Sequence, residues 1–133
     1  EEKDLREKAF EIVSIVRLTE KADLKAESLS YGEQRKLELA RALATEPKLL
    51  LIDEPAAGMN PAETEELMEE IVHINGKGYT ICLIEHDMKV VMGICSHIAV
   101  LNFGELIAEG SPDEIKANPE VIEAYLGKEE QSA

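Results

Sequence analysis

Four consecutive apolar residues, Leu49-Leu50-Leu51-Ile52, run directly into Asp53, Glu54 and Pro55. Adjacent carboxylates at the end of such a run point different ways and can hold different jobs. One can orient a hard cation such as Mg²⁺ through water. The other can take a proton from an attacking water. The pair also fits a solvated acidic turn that merely closes a buried strand. A second apolar run, Tyr79–Ile84, ends in Glu85-His86-Asp87. His86 there can donate a hydrogen bond to a phosphate oxygen, or serve as an ordinary surface or capping residue. Upstream stands LSYGEQ, residues 29–34. Small residues ahead of a helix leave free N–H groups at its positive end, which suits a phosphate. Ser30 adds a hydroxyl and Gly32 lets the backbone come close, but Ser30 serves equally well as a plain helix cap.

The elements that must carry these residues are legible from periodicity and punctuation. Leu5, Ala9, Ile12, Val13 and Val16 lie at helical spacing between residues 4 and 18. Ser30 with Glu33 three residues on is a capping box, predicting a helix that buries Leu37, Ala40 and Leu43 or Ala44. Pro47 lies just beyond its end. Residues 49–52 are too few for a helix and read as a strand buried on both faces, as in a parallel sheet. Asn60-Pro61-x-Glu63 starts a helix that reaches about Asn75 and stops at Gly76 and Gly78. Residues 79–84 are the next strand, 88–95 a short helix and 97–103 a further strand. Gly104 turns the chain so that 105–109 pairs back as a hairpin. Ser111-Pro112-x-Glu114 and Asn118-Pro119 start two short helices, Gly127 ends the last, and KEEQSA reads as a frayed tail. Strand, helix, strand, helix, strand defines an α/β fold with a mainly parallel sheet.

Composition narrows the function classes. The chain has 133 residues, 44% hydrophobic and 32% charged, which fits one globular unit. Its net charge of −14 argues against nucleic-acid binding and against anionic membrane surfaces, since both recruit Lys and Arg patches. No apolar stretch approaches the roughly 20 residues of a membrane span. Cys82 and Cys95 stand in apolar stretches outside any CxxC pair and read as buried free thiols. The first residues, EEKDLREK, are no signal peptide, and the missing initial Met reads as processing or excision from a longer chain.

LSYGEQRKLELARAL, then LLLIDEP, then a His after the next strand, in that order and spacing, resembles the ATP-binding subunit of ABC transporters. LSYGEQ resembles the family's signature loop, LLLIDEP its Walker B strand, AAGMNP its D-loop and Glu85-His86-Asp87 its switch-histidine loop. NFGELIAEGSPDEI resembles the end of the catalytic domain in the transporter branch. AAGMNP and IEHDM are similar to the subgroup that powers branched-chain amino-acid import, with lipopolysaccharide-export and urea-import ATPases as near alternatives. The resemblance implies that Asp53 binds Mg²⁺ through water, that Glu54 polarises the attacking water and that His86 contacts the γ-phosphate. It places Ser30, Tyr31, Gly32, Glu33 and Gln34 against the γ-phosphate of an ATP seated on a second ATPase subunit. Asn60 would communicate across that dimer. It implies ATP and Mg²⁺ as cofactors, membrane permease subunits as partners, and a cytoplasmic location at the inner face of the membrane without insertion. Three residues depart from the usual pattern: Tyr31 stands for a Gly, Glu33 for a Gln and Asn60 for an Asp.

The family also needs a P-loop, GxxxxGK[ST], whose amides and Lys cradle the phosphates. No such motif occurs in the sequence. The family's adenine-stacking aromatic and Gln loop are missing as well. The resemblance is therefore to the C-terminal half of one ABC ATPase domain: residues 1–47 to its helical signature subdomain, 48–110 to its catalytic core and 111–133 to its terminal helices and tail. By resemblance the P-loop strand lies between the strand ending at Ile84 and the one starting near His97. Its loss leaves sheet edges open, which predicts marginal stability, oligomerisation or strand exchange, and a chain inactive alone. The competing expectations are a non-enzymatic interaction or dimerisation module and, less in keeping with the acidity and the terminal hairpin, a soluble ABC ATPase of translation or DNA repair.

Overall fold

A computed structural model of the chain describes residues 1–127, divided into two compact units, one of residues 1–84 and one beginning at residue 85. The tail KEEQSA lies outside the described residues.

The first unit contains α1 (Glu2–Ile15), α2 (Tyr31–Leu43), β1 (Leu49–Asp53), α3 (Pro61–Gly76) and β2 (Thr80–Ile84). Strands β1 and β2 pair in parallel, from Leu49 opposite Thr80 to Asp53 opposite Ile84. Parallel neighbours need a crossover, and α3 supplies it. The predicted capping box at Ser30 forms, and the predicted helix start at Asn60 carries a second one. At the start of α3, Asn60 Oδ1 accepts from Glu63 N at 2.9 Å and Glu63 Oε2 accepts from Asn60 N at 2.9 Å. Asn60→Ala is expected to cost the chain about 1 kcal/mol. A lowered urea midpoint at unchanged slope is the readout, and an unmoved midpoint would mean that solvent replaces the cap.

Burial departs from the sequence expectation in three places. Helix α1 buries nothing along its length, and Leu5 is 65% exposed; burial begins just beyond it, at Val16 and Leu18. Helix α2 buries Leu39 with Ala40 and Leu43, whereas Leu37 is half-buried and Ala44 exposed. The third departure is the strand expected to be covered on both faces. Leu50 and Ile52 are buried, but Leu49 and Leu51 are 52% and 67% exposed. Their register partners Thr80 and Cys82 are exposed with them, as is Ile84 opposite Asp53. One face of the β1–β2 pair is thus packed and the other is not, which also leaves the Cys82 thiol free and exposed rather than buried.

The second unit holds α4 (Met88–Ile94), β3 (Ile98–Asn102), β4 (Glu105–Gly110), α5 (Pro112–Ala117) and α6 (Pro119–Val121), the last running into a π-helical turn at Ile122–Leu126. Strands β3 and β4 form the expected antiparallel hairpin. Its two-residue connection, Phe103-Gly104, has φ of 50° and 78°. Positive φ at both central residues matches the right-handed twist of the strands. Val91, Ile98, Val100, Ile115 and Val121 make this unit's core, and the Tyr125 hydroxyl donates to the Leu101 carbonyl.

Candidate phosphate and water-activation site

Asp53 is the last residue of β1 and is exposed. The ladder continues one step beyond it, with Glu54 N donating to Ile84 O at 2.8 Å. There the chain breaks out of the strand. Glu54 has φ 43°, in the left-handed region, where a residue with a Cβ pays about 1–2 kcal/mol. Strain of this kind persists where surrounding structure holds it and clusters at functional sites. The hold is visible: Pro55 and Ala56 are buried, Ala57 N donates to Glu54 O at 3.2 Å, and Met59 N donates to Ala56 O at 3.1 Å. This closed turn leads through Gly58, φ 77°, to Asn60 at the head of α3. Asp53 and Glu54 therefore leave the strand end in different directions on a fixed turn.

At the start of α2, Ser30 Oγ accepts from Glu33 N at 3.3 Å and Glu33 Oε2 accepts from Ser30 N at 2.9 Å. A capping hydroxyl spends a lone pair, not its proton, so Ser30 can still donate to an anion. Glu33 would set a negative charge beside a phosphate, but its carboxylate also pairs with Lys21. That hydrogen bond, with the Ser30 amide next, holds the Glu33 carboxyl below its usual range. Gln34 Nε2 donates back to Leu29 O at 3.2 Å. Gly32 has nothing within 4 Å of where a Cβ would stand, so its surface is open.

His86 belongs to the second unit. Its side chain is 71% exposed while that of Glu85 is 1% exposed. Glu85 Oε1 accepts from His86 N at 3.0 Å and from Asp87 N at 3.3 Å, and lies 3.7 Å from His86 Nδ1. Asp87 Oδ1 then caps α4, accepting from Lys89 N at 3.0 Å and Val90 N at 3.4 Å. Glu85 thus fixes the loop that presents His86, a role that its place in Glu85-His86-Asp87 did not disclose.

Among the described residues, no cluster of three or more His, Cys, Asp or Glu could enclose a metal unaided. A single exposed carboxylate at a strand end fits Mg²⁺ all the same, because Mg²⁺ keeps several waters and binds through one or two carboxylates plus substrate phosphates.

A parallel strand thus ends in Asp-Glu on a strained turn, and the capped helix that opens with Ser and Gly reaches that turn through Tyr31. Residues 1–57 match the family model described as ABC transporter, and residues 105–131 match the one described as branched-chain amino acid ATP-binding cassette transporter. The high-affinity branched-chain amino acid transport ATP-binding protein BraF of Pseudomonas aeruginosa is 48% identical over 128 residues, 96% of this chain and 50% of that protein. LivG of Escherichia coli, described in the same words, is 54% identical over 112 residues, 84% of this chain and 44% of that protein. The crystal structure of the ADP conformation of MJ1267, an ATP-binding cassette of an ABC transporter, superposes with a TM-score of 0.84 at 34% identity, over 93% of this chain and 50% of that one. The chain belongs to the ABC transporter ATP-binding family. It spans about half the length of the curated relatives it matches.

Proposed function

We propose that this chain supplies the signature loop and the water-activating carboxylate of an ATP-hydrolysing subunit that drives branched-chain amino-acid import. The observation that carries the reading is the turn after β1, which holds Glu54 in a left-handed backbone one residue beyond Asp53. In this reading Asp53 orients Mg²⁺ through water, and Glu54 accepts a proton from the water that attacks the γ-phosphate. His86 donates to that phosphate. Ser30 and Gly32, with the amides around them, face the γ-phosphate of an ATP seated on a second ATPase subunit, and Tyr31, Glu33 and Gln34 shape that loop. Asn60 lies at the dimer contact. Mg²⁺ would supply charge neutralisation on the phosphates. The names of the relatives support the amino-acid assignment.

Residues 1–47 fit the helical signature subdomain, 48–110 part of the catalytic core and 111–133 the terminal helices and tail. A phosphate-binding half carrying the P-loop is the natural cover for the open face of Leu49, Leu51 and Ile84. Without it this chain is expected to be inactive and to self-associate through that face. No helix among the described residues is long and apolar enough to cross a membrane, so attachment to the inner face would run through permease subunits.

The test compares Mg-ATP binding and turnover by the chain alone with turnover by a cassette in which it follows a P-loop-bearing half. Turnover only in the completed cassette is expected. A completed cassette that binds ATP without hydrolysing it would favour a dimerisation module. Tight stoichiometric binding by the chain alone would overturn the half-site reading.

A further inference from the structure

Tyr31 stands in LSYGEQ where a small residue would suffice for a phosphate loop, and its side chain points elsewhere. Its hydroxyl donates to Ala57 O at 3.0 Å, reaching the turn that follows Glu54. Arg35, one helical turn on in α2, donates to the same hydroxyl from Nη2 at 2.9 Å and from Nε at 3.2 Å. Arg35 Nη1 is in turn held by Glu38 at 3.0 Å. A hydroxyl that accepts from a guanidinium becomes a better donor, so the chain Glu38–Arg35–Tyr31–Ala57 is mutually reinforcing. The Tyr31 hydroxyl also lies 3.7 Å from the position of a Cβ on Gly58, the left-handed glycine that ends the turn. Both main-chain polar groups of Ala57 are engaged. Its carbonyl accepts from Tyr31, and its N–H donates to the Glu54 carbonyl.

We infer that Tyr31 is a positioning residue for Glu54: through Ala57 it braces the turn that keeps Glu54 in its left-handed backbone, and so ties the signature loop to the chain's own hydrolytic carboxylate. The inference rests on the proposed function for its catalytic half. Its structural half stands on the hydrogen bonds alone. Tyr31→Phe keeps the ring and removes the hydroxyl, breaking the chain between Arg35 and Ala57.

Two measurements test it. In the full chain, amide exchange of Ala57 and Met59 is expected to rise about three- to tenfold in Tyr31→Phe, as the loss of one modest hydrogen bond predicts. Unchanged exchange would overturn the link. In a cassette completed by a P-loop-bearing half, kcat is expected to fall about three- to tenfold with KM for ATP within twofold. Tyr31→Phe added to Glu54→Gln should cost nothing more, because the hydroxyl acts through that carboxylate. A full additional loss in the Glu54→Gln background, or faster exchange at unaltered kcat, would overturn the positioning role. A wild-type completed cassette without turnover would instead bring down the proposed function, and the catalytic half of this inference with it, while the exchange result still decides the link.

Discussion

Glu54→Gln, in the completed cassette, is expected to lower ATP hydrolysis about 10²–10⁴-fold, the usual contribution of a positioned general base. ATP binding should be nearly unaffected. The substitution changes little besides proton affinity. Gln has the length and shape of Glu, and it pays the same cost in the left-handed backbone that Glu54 adopts at φ 43°. The hydrogen bond from Glu54 N to Ile84 O at 2.8 Å, which anchors the turn to β2, is between main-chain groups and survives. What disappears is a carboxylate able to take a proton from water. Asp53→Asn should behave differently: it removes the carboxylate proposed to orient Mg²⁺, so the required Mg²⁺ concentration should rise. Single-turnover phosphate release gives the first effect, and equilibrium nucleotide titration separates it from binding. Hydrolysis retained within tenfold would remove Glu54 from the proton path.

Much of this site is legible in the sequence, for a physical reason. Helix starts are local events. Ser30 with Glu33, and Asn60 with Pro61 and Glu63, satisfy orphan amides within four residues of chain, so spacing alone reveals them. The hairpin is local too, since Phe103-Gly104 must turn within two residues. Burial is not local. Leu49 and Leu51 are as apolar as Leu50, and only the presence of a packing partner makes a strand two-sided. The Tyr31 contact is hidden for the same reason: its acceptor, Ala57, is 26 residues away. Tyr31 in a run of small residues marks an anomaly in the sequence, but nothing there names its partner.

A comparable case lies on α3. Leu67, Glu70, Ile71 and Ile74 fall at i, i+3, i+4 and i+7, one face of the helix. The sequence pattern therefore places Glu70 among core residues, and a charged residue there is easily read past. The structure buries it to 1% exposure, and its Oε1 finds no hydrogen-bond donor among the described residues. Burial pushes the Glu70 carboxyl above its usual range, against the opposing pull of Lys36, Arg17 and His73. Glu70→Met keeps an unbranched side chain of similar size and removes the unsatisfied carboxylate. It is expected to raise the stability of the chain by about 1–3 kcal/mol at neutral pH, the cost of an unpaired buried polar group. Acidity should modulate the gain. A carboxyl whose pKa is raised by folding binds its proton more tightly in the folded chain, so its stabilising protonation is complete below the unfolded value and lost as pH rises through the folded one. The difference between Glu70→Met and wild type should therefore be largest above the folded pKa and shrink as pH falls toward the ordinary Glu range. Urea midpoints of both proteins across that interval give the curve, and subtracting one from the other cancels the other acidic residues. A destabilised Glu70→Met would mean that a water or a donor satisfies Oε1 in solution. A gain independent of pH would mean that Glu70 acts through packing rather than charge.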